Sequence, residues 1–257
     1  MFKITAIPAL QDNYIWAIHN DEQAVVVDPG DAIPVLEFLT EQGLTLAAIL
    51  CTHRHHDHIG GIAQLRAVYN VPVYGRRHEK NPHISHDLRD GEELNLDAFG
   101  LQFDIIAVPG HLNDHIAYFA ANAAPEILFC GDVLFGAGCG RNFEGTLEQL
   151  HHSLQRLSGL PGSTRVYCSH EYTASNLRFS LLCEPDNPAV QQRIAATQQL
   201  RDSGLPSVPS TIALEKATNP FLRCSEPAII HRVQQHGLND TIPAAVFAAL
   251  RIWRDNF

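Results

Sequence analysis

Two hydrophobic rhythms run along this chain. From residue 2 to about residue 170, apolar positions come as short runs or alternations rich in β-branched residues. They cover 2–8, 14–19, Gln23-Ala24-Val25-Val26-Val27-Asp28, 46–51, 93–97, 101–108, 115–120, 126–130 and 164–168. Such runs, bounded by Gly, Pro and polar clusters, predict strands. Between them Ile33, Leu36 and Leu39 recur at helical spacing, which predicts a helix capped by Asp31 and stopped at Gly43. Residues 62–69 predict the next helix.

Beyond residue 170 the β-branched runs cease. Helices are predicted over 172–183, from Asn187 and Pro188 with Val190, Ile194 and Leu200 on one face, and over 226–236 and 243–254. Strands followed by alternating helix and strand predict helices layered on sheets. The change of rhythm divides the chain into residues 1–170 and a helical part, 171–257.

Composition narrows the partners. With 257 residues, 45% apolar and 18% charged, the chain can bury one large core or two smaller ones. A net charge of −10 argues against a general nucleic-acid binder, which needs a basic face. An anionic substrate would have to be held by a few local cations against that field. No stretch reaches the 18 or so apolar residues of a membrane span, and the N-terminus lacks the pattern of a signal peptide. Six cysteines without a CxxC pair predict free, buried thiols in a reducing compartment. The expectation is a cytoplasmic monomer acting on a small molecule, with no nucleic-acid or membrane partner.

The densest chemistry lies at residues 50–61, where the apolar run Leu46-Ala47-Ala48-Ile49-Leu50 leads into Cys51-Thr52-His53-Arg54-His55-His56-Asp57-His58 and a Gly-Gly pair. Imidazole and carboxylate at such spacing, straight after a strand, point to a transition-metal site. Three more apolar runs end on ligand-type residues: Val108-Pro109-Gly110-His111, Cys130-Gly131-Asp132 and Cys168-Ser169-His170. Singly, each is more often a hydrogen-bonded structural residue; jointly they form a pattern. Seven groups are too many for one catalytic ion and suit two, with His53, His55 and His111 on the first, Asp57, His58 and His170 on the second, and Asp132 bridging. Asp57 and Asp132 are the carboxylates expected to serve catalysis. The His-rich stretch 75–92 has looser spacing, interspersed cations and Pro82, and reads as an exposed loop.

Thr52-His53-x-His55-x-Asp57-His58 resembles the THxHxDH motif of the metallo-β-lactamase superfamily. Asp12-Asn13-Tyr14, Gly131-Asp132-Val133-Leu134-Phe135, the stretch from Gly138 to Gly145, His170-Glu171-Tyr172 and Asn219-Pro220-Phe221-Leu222-Arg223 resemble the hydroxyacylglutathione hydrolase (glyoxalase II) family. That resemblance implies a four-layer αββα sandwich followed by an α-helical domain. It also implies hydrolysis of S-D-lactoylglutathione, and of other 2-hydroxyacyl glutathione thioesters, to glutathione and the hydroxy acid by a hydroxide held between two divalent metals. Zinc is the first expectation for those metals, with iron or manganese also accepted. It assigns Arg141, Phe143, Tyr172, Arg251 and Arg254 to the substrate. Leu112, Asp114, Val133 and Phe143 depart from the family pattern. Phe143 lacks the hydroxyl of the Tyr that many relatives carry there, and the other three bear on the hydrogen bonds around the ligands.

A thioester suits such a site on chemical grounds. Its leaving thiol has a pKa near ~8.5 and departs without a dedicated acid. Two carboxylates of glutathione suit arginine pairing. Four other readings are a persulfide dioxygenase of the same superfamily, a β-lactamase, a tRNA-processing nuclease, and a non-catalytic metal-binding module. The helical tail opposes the first, the acidic chain without a basic insertion opposes the nuclease, and the complete ligand set opposes the last.

Overall fold

The computed structural model describes residues 2–237 and 239–257; Met1 and Leu238 lie outside the described residues. Contacts within the chain define two units, residues 1–107 with 114–131, and residues 108–113 with 132–257.

In the first unit β1 (Lys3–Ala9), β2 (Asn13–His19) and β3 (Gln23–Val27) form an antiparallel meander, in register from Lys3 opposite His19 to Ala9 opposite Asn13. Helix α1 (Ile33–Gln42) then carries the chain to β4 (Thr45–Leu50), parallel to β3. Gly43 ends α1 in the left-handed conformation, as its sequence predicts. Asp31 lies one residue further out than expected: its Oδ1 accepts from the Ile33 N–H at 2.9 Å, and Ala32 is the cap. The chain continues through α2 (His56–Ile59), α3 (Ile62–Val68), β5 (Val73–Gly75) and β6 (His86–Asp87), which complete a six-stranded sheet in sequence order. Ile15, Ala17, Ala24, Val26 and Ile49 share one core with Val35 and Leu39 of α1 and Ile62 and Leu65 of α3. The alternate residues Trp16, Ile18, Val25, Val27 and Leu50 are buried as well, so both faces of this sheet are covered.

A second meander joins β7 (Glu93–Leu96), β8 (Leu101–Ala107), β9 (Ile116–Ala120) and β10 (Ile127–Gly131), all antiparallel. Tyr118 of β9 links the two sheets of the unit, donating its hydroxyl to the Cys51 carbonyl at 2.9 Å, with the Tyr74 carbonyl at 3.2 Å.

The second unit holds the hairpin β11 (Leu134–Phe135) and β12 (Gly138–Cys139), α4 (Leu147–Ser158), and β13 (Arg165–Cys168). It continues with α5 (Thr173–Cys183), α6 (Pro188–Asp202), β14 (Ser210–Thr211), α7 (Ile212–Thr218), α8 (Pro227–Gln235) and α9 (Pro243–Asp255). Asn187 caps α6 as predicted, accepting from the Ala189 N–H. Helices α4 and α7 fall where the hydrophobic rhythm predicts none. Helix α4 buries Leu150, Leu154 and Leu157 and opens with a capping box, Thr146 and Gln149 exchanging side-chain and backbone bonds. That Thr-x-x-Gln spacing is visible in the sequence.

A buried carboxylate organises this unit. Glu215 accepts from Arg193 Nη2 at 2.6 Å, from the Ala137 N–H at 2.8 Å and from Asn219 Nδ2 at 3.2 Å. Asn219 Nδ2 also reaches the Gly138 carbonyl at 2.9 Å, so the Asn219-Pro220-Phe221 segment holds the β11–β12 hairpin from which Arg141 emerges. A buried pair of this kind is costly to break from one side, since the surviving charge is left uncompensated.

All six cysteines are free and buried. Burial raises the Cys51, Cys139 and Cys183 thiols above the ordinary thiol range and pushes Cys168 and Cys224 to about 12. Thiolate is the reactive form. In a thiol titration at neutral pH the folded protein should therefore show almost no reaction, and all six thiols should react once it is denatured. Rapid reaction of a native thiol would contradict the packing described.

Candidate metal centre

In the first unit the donors follow from the end of β4. Thr52 and His53 are buried, His55 precedes α2, and the single turn of α2 carries Asp57 and His58. Gly30 makes this approach possible: a Cβ there would stand 1.8 Å from the Asp57 carbonyl oxygen. Asp28, at the end of β3, anchors the loop. Its Oδ1 accepts from the Thr52 N–H at 2.7 Å, and its Oδ2 from the Thr52 hydroxyl at 2.7 Å and from His58 Nδ1 at 3.0 Å.

These bonds fix tautomers. Having given its proton to Asp28, Thr52 Oγ1 can only accept from His53 Nδ1, 3.0 Å away. Both His53 and His58 therefore carry their proton on Nδ1 and offer the Nε2 lone pair, the arrangement that orients metal-binding histidines. His53 Nε2 and His55 Nδ1 stand 3.2 Å apart, and His58 Nε2 and Asp57 Oδ2 stand 3.3 Å apart. Two ligands at ~2.1 Å from a tetrahedral ion are separated by about 3.4 Å, so each pair has the spacing of neighbours on one cation. Asn13 Nδ2 donates to Asp57 Oδ2 at 3.0 Å and to its carbonyl at 3.3 Å, which orients that carboxylate.

The second unit holds a further set of donors. His111 Nδ1 donates to the Arg141 carbonyl at 2.9 Å, which again leaves Nε2 as the donor atom. Asp132 divides its two oxygens: Oδ2 lies 3.6 Å from His111 Nε2 and Oδ1 lies 3.3 Å from His170 Nε2. Each oxygen of the carboxylate thus faces a different imidazole. Gly140 lets the chain pass close by, since a Cβ there would stand 1.9 Å from the Asp132 carbonyl oxygen. The chemistry of both donor sets fits divalent cations with nitrogen and oxygen ligands. A further group, Asp28 with His53 and His58, also has ligand spacing. The Asp28 oxygens already accept three bonds, which makes it a support for the ligands.

The substrate candidates all lie in the second unit. Tyr172 stacks flat on His170, with ring centroids 4.7 Å apart and planes within 4°. Phe143 is 62% exposed and sets its ring edge-on to His111 at 5.2 Å. Arg141 is open to solvent, its Nε 3.3 Å from Asp255 Oδ1. Arg254 is half-buried over Phe179 and Phe257, donating to Ser175 Oγ at 3.1 Å and Asn176 Oδ1 at 3.4 Å. Arg251 is different. It is buried over Phe221, with Nη1 donating to the Cys139 carbonyl and Nη2 to Asp255 Oδ1, each at 3.0 Å. Burial, and then the cations Arg251, Arg141 and Arg178, hold the Arg254 guanidinium below the ordinary arginine value, against the pull of Asp255.

Asp28 escapes the sequence reading, and Thr52 and Asn13 enter it only as motif residues without a supporting role. Asp28 had a signal, because it ends an apolar run in the same manner as Asp132.

Comparisons with known proteins follow the same lines. The model of the metallo-β-lactamase superfamily matches residues 10–170, and the model described as the hydroxyacylglutathione hydrolase C-terminus matches residues 171–257. A protein of Nitrosomonas eutropha named hydroxyacylglutathione hydrolase is 48% identical over 260 residues, covering 100% of both chains. One of Aliivibrio salmonicida bearing the same name is 51% identical over 259 residues, again with 100% of both chains covered. Among solved structures, ETHE1 from Myxococcus xanthus has a TM-score of 0.64 at 27% identity, covering 99% of this chain and 98% of that one. A protein solved in a di-iron-bound form has a TM-score of 0.55 at 30% identity, covering 65% of this chain and 91% of that one.

Proposed function

Because the chain belongs to the hydroxyacylglutathione hydrolase family, we propose that it is the thioester hydrolase which cleaves S-D-lactoylglutathione to glutathione and D-lactate. Other 2-hydroxyacyl glutathione thioesters fall within the same reading. The chain has the metallo-β-lactamase fold with a C-terminal helical region, and its His/Asp clusters suit a binuclear metal site. The persulfide dioxygenase alternative has less support, since the full-length relatives at about half identity carry the hydrolase name.

The observation that carries the reading is the division of the Asp132 oxygens between His111 and His170. In this reading His53, His55 and His111 would hold one cation, Asp57, His58 and His170 the other, and Asp132 would serve both. When bound, divalent cations of this kind lower the pKa of a coordinated water and polarise a carbonyl oxygen. The protein's own residues do the rest. Asp28 and Thr52 hold His58 and His53 in the ligating tautomer, and Asn13 keeps Asp57 in place. Phe143 and Tyr172 flank the donor histidines and offer apolar faces to the acyl group. Arg141 and Arg254 take the glutathione carboxylates, and Arg251 orders Asp255 and the Cys139 carbonyl beneath them. The glutathione thiolate then leaves unaided, its conjugate acid having a pKa near ~8.5.

Residues 1–170 are proposed as the catalytic part and 171–257 as the substrate-binding part. Zinc is the proposed metal, with iron and manganese as competitors for the same donors. A cytoplasmic monomer without nucleic-acid or membrane partners is proposed from composition; no helix among the described residues is long and apolar enough to cross a membrane.

The direct test follows loss of S-D-lactoylglutathione and release of free thiol before and after chelation, with metal analysis of the same sample. Two metals per chain, and activity lost with the metal and restored by adding it back, are expected. Chelator-resistant turnover, or oxygen consumption on glutathione persulfide with one metal per chain, would replace this reading. Arg254→Ala should raise KM about 10- to 100-fold with little change in kcat, because a charge-assisted bond worth ~1.5–3 kcal/mol is lost far from the reacting carbon. An unchanged KM removes Arg254 from the substrate.

A further inference from the structure

We infer that the Arg54–Asp114 ion pair is a positioning device for the metal-ligand loop, setting where His55 stands. The inference rests on the reading of His55 as a ligand. Arg54 lies between the proposed ligands His53 and His55, and Asp114 is one of the positions that depart from the family pattern. The two side chains meet as a largely buried salt bridge within the first unit, Arg54 7% and Asp114 14% exposed.

The pair completes a register. The Ile116 N–H donates to the Thr52 carbonyl at 2.9 Å, His53 stacks on His115 with centroids 4.6 Å apart and planes within 16°, and Arg54 pairs with Asp114. Residues 52, 53 and 54 thus meet 116, 115 and 114 in turn, through one backbone bond, one ring stack and one ion pair. These contacts run from Ile116, the first residue of β9, along the loop as far as Arg54. The last of them falls one residue before His55.

These ties differ in strength and kind. Thr52 is held by backbone and by Asp28, and His53 by a flat ring contact and Thr52. Beyond them no strand continues, and α2 begins only at His56. Arg54 therefore supplies the tie nearest to His55 on its N-terminal side. A guanidinium–carboxylate pair is directional, so it sets the rotation of the loop as well as its distance. Within the pair, loss of one partner strands the other charge in a buried place, whereas loss of both charges does not. That asymmetry makes the inference testable.

The experiment compares Arg54→Gln, Asp114→Asn, the double variant R54Q/D114N and His55→Ala with the parent. The readouts are metal dissociation constants by chelator competition, the visible spectrum of the cobalt-loaded protein, and the thermal midpoint. Outer residues that orient ligands change metal affinity by roughly 10- to 100-fold. Each single variant should therefore weaken binding of one metal about tenfold and shift the cobalt spectrum. The double variant should return to within about threefold of the parent, because the Gln and Asn amides can bond to each other. KM should stay constant in the Arg54 and Asp114 variants, since neither residue is among those proposed for the substrate. If the single variants lower only the thermal midpoint, with metal affinity and cobalt spectrum unchanged, the pair is merely structural and the inference is wrong. Purely additive losses in the double variant would also overturn it. His55→Ala separates the two levels: normal metal content in that variant refutes the ligand assignment itself, whereas metal loss there with an unaltered Arg54→Gln refutes only the clip.

Discussion

Asp132→Ala should lower kcat by at least about a thousandfold and reduce bound metal below two per chain. A thousandfold corresponds to roughly 4 kcal/mol of lost transition-state stabilisation. The magnitude follows from what this carboxylate does. Its Oδ1 faces His170 and its Oδ2 faces His111, so removing it takes one donor from each of two sets at once. Steady-state kinetics on S-D-lactoylglutathione, with metal analysis and circular dichroism on the same preparation, measure the effect. A folded variant that holds two metals and turns over at the parental rate would dismiss the bridging assignment.

Asp28→Asn should be nearly as damaging, although Asp28 is not proposed to touch metal or substrate. Its Oδ2 accepts from His58 Nδ1 and from the Thr52 hydroxyl. An amide has only one oxygen. With that oxygen kept for the Thr52 N–H, the NH₂ group faces His58 Nδ1 and demands a lone pair there. The proton then moves to Nε2, the atom needed by the metal. The same Asp→Asn logic in a Ser-His-Asp triad costs about 10⁴ in kcat through the wrong tautomer, and residues supporting a metal ligand cost about 10- to 100-fold in affinity. A fall of about 10²–10³ in kcat is expected here, with weaker retention of one metal under chelator competition. The backbone offers no alternative explanation. Asp28 has φ 54°, a left-handed conformation that Asn tolerates as readily as Asp. Parental metal affinity and rate in this variant would show that the Nε2 lone pair of His58 is not required.

The two carboxylates mark the difference between what the chain's order conveys and what folding adds. Asp132 and Asp28 both end apolar strands, yet only Asp132 was legible as a ligand. It belongs to a set whose members could be counted by type, and seven donors imply two metals. Asp28 works through Thr52 and His58, 24 and 30 residues away, and hydrogen-bond direction is invisible in a one-dimensional pattern. The same limit applies to the arginines. Arg251 and Arg254 are indistinguishable as letters on one helix, but one is buried on the Cys139 carbonyl and Asp255 while the other leans on Ser175 at half burial. Helix α4 was missed for a different reason: its signal is a capping box, local and readable, within a region whose rhythm had been set by strands.

By itself the sequence determined the alternation of strand and helix, the change of character near residue 170, and the chemical kind of centre. Each of these depends on residue type and near-neighbour spacing, which the covalent chain carries directly. Only the tertiary structure decided which imidazole nitrogen is a donor, how Asp132 divides its oxygens, which arginine is already engaged, and how Arg54 clips its loop to Asp114. Those properties arise where distant segments meet. A proton's place or a charge's availability is set by the partner across that contact, and the partner's distance along the chain bears no fixed relation to it.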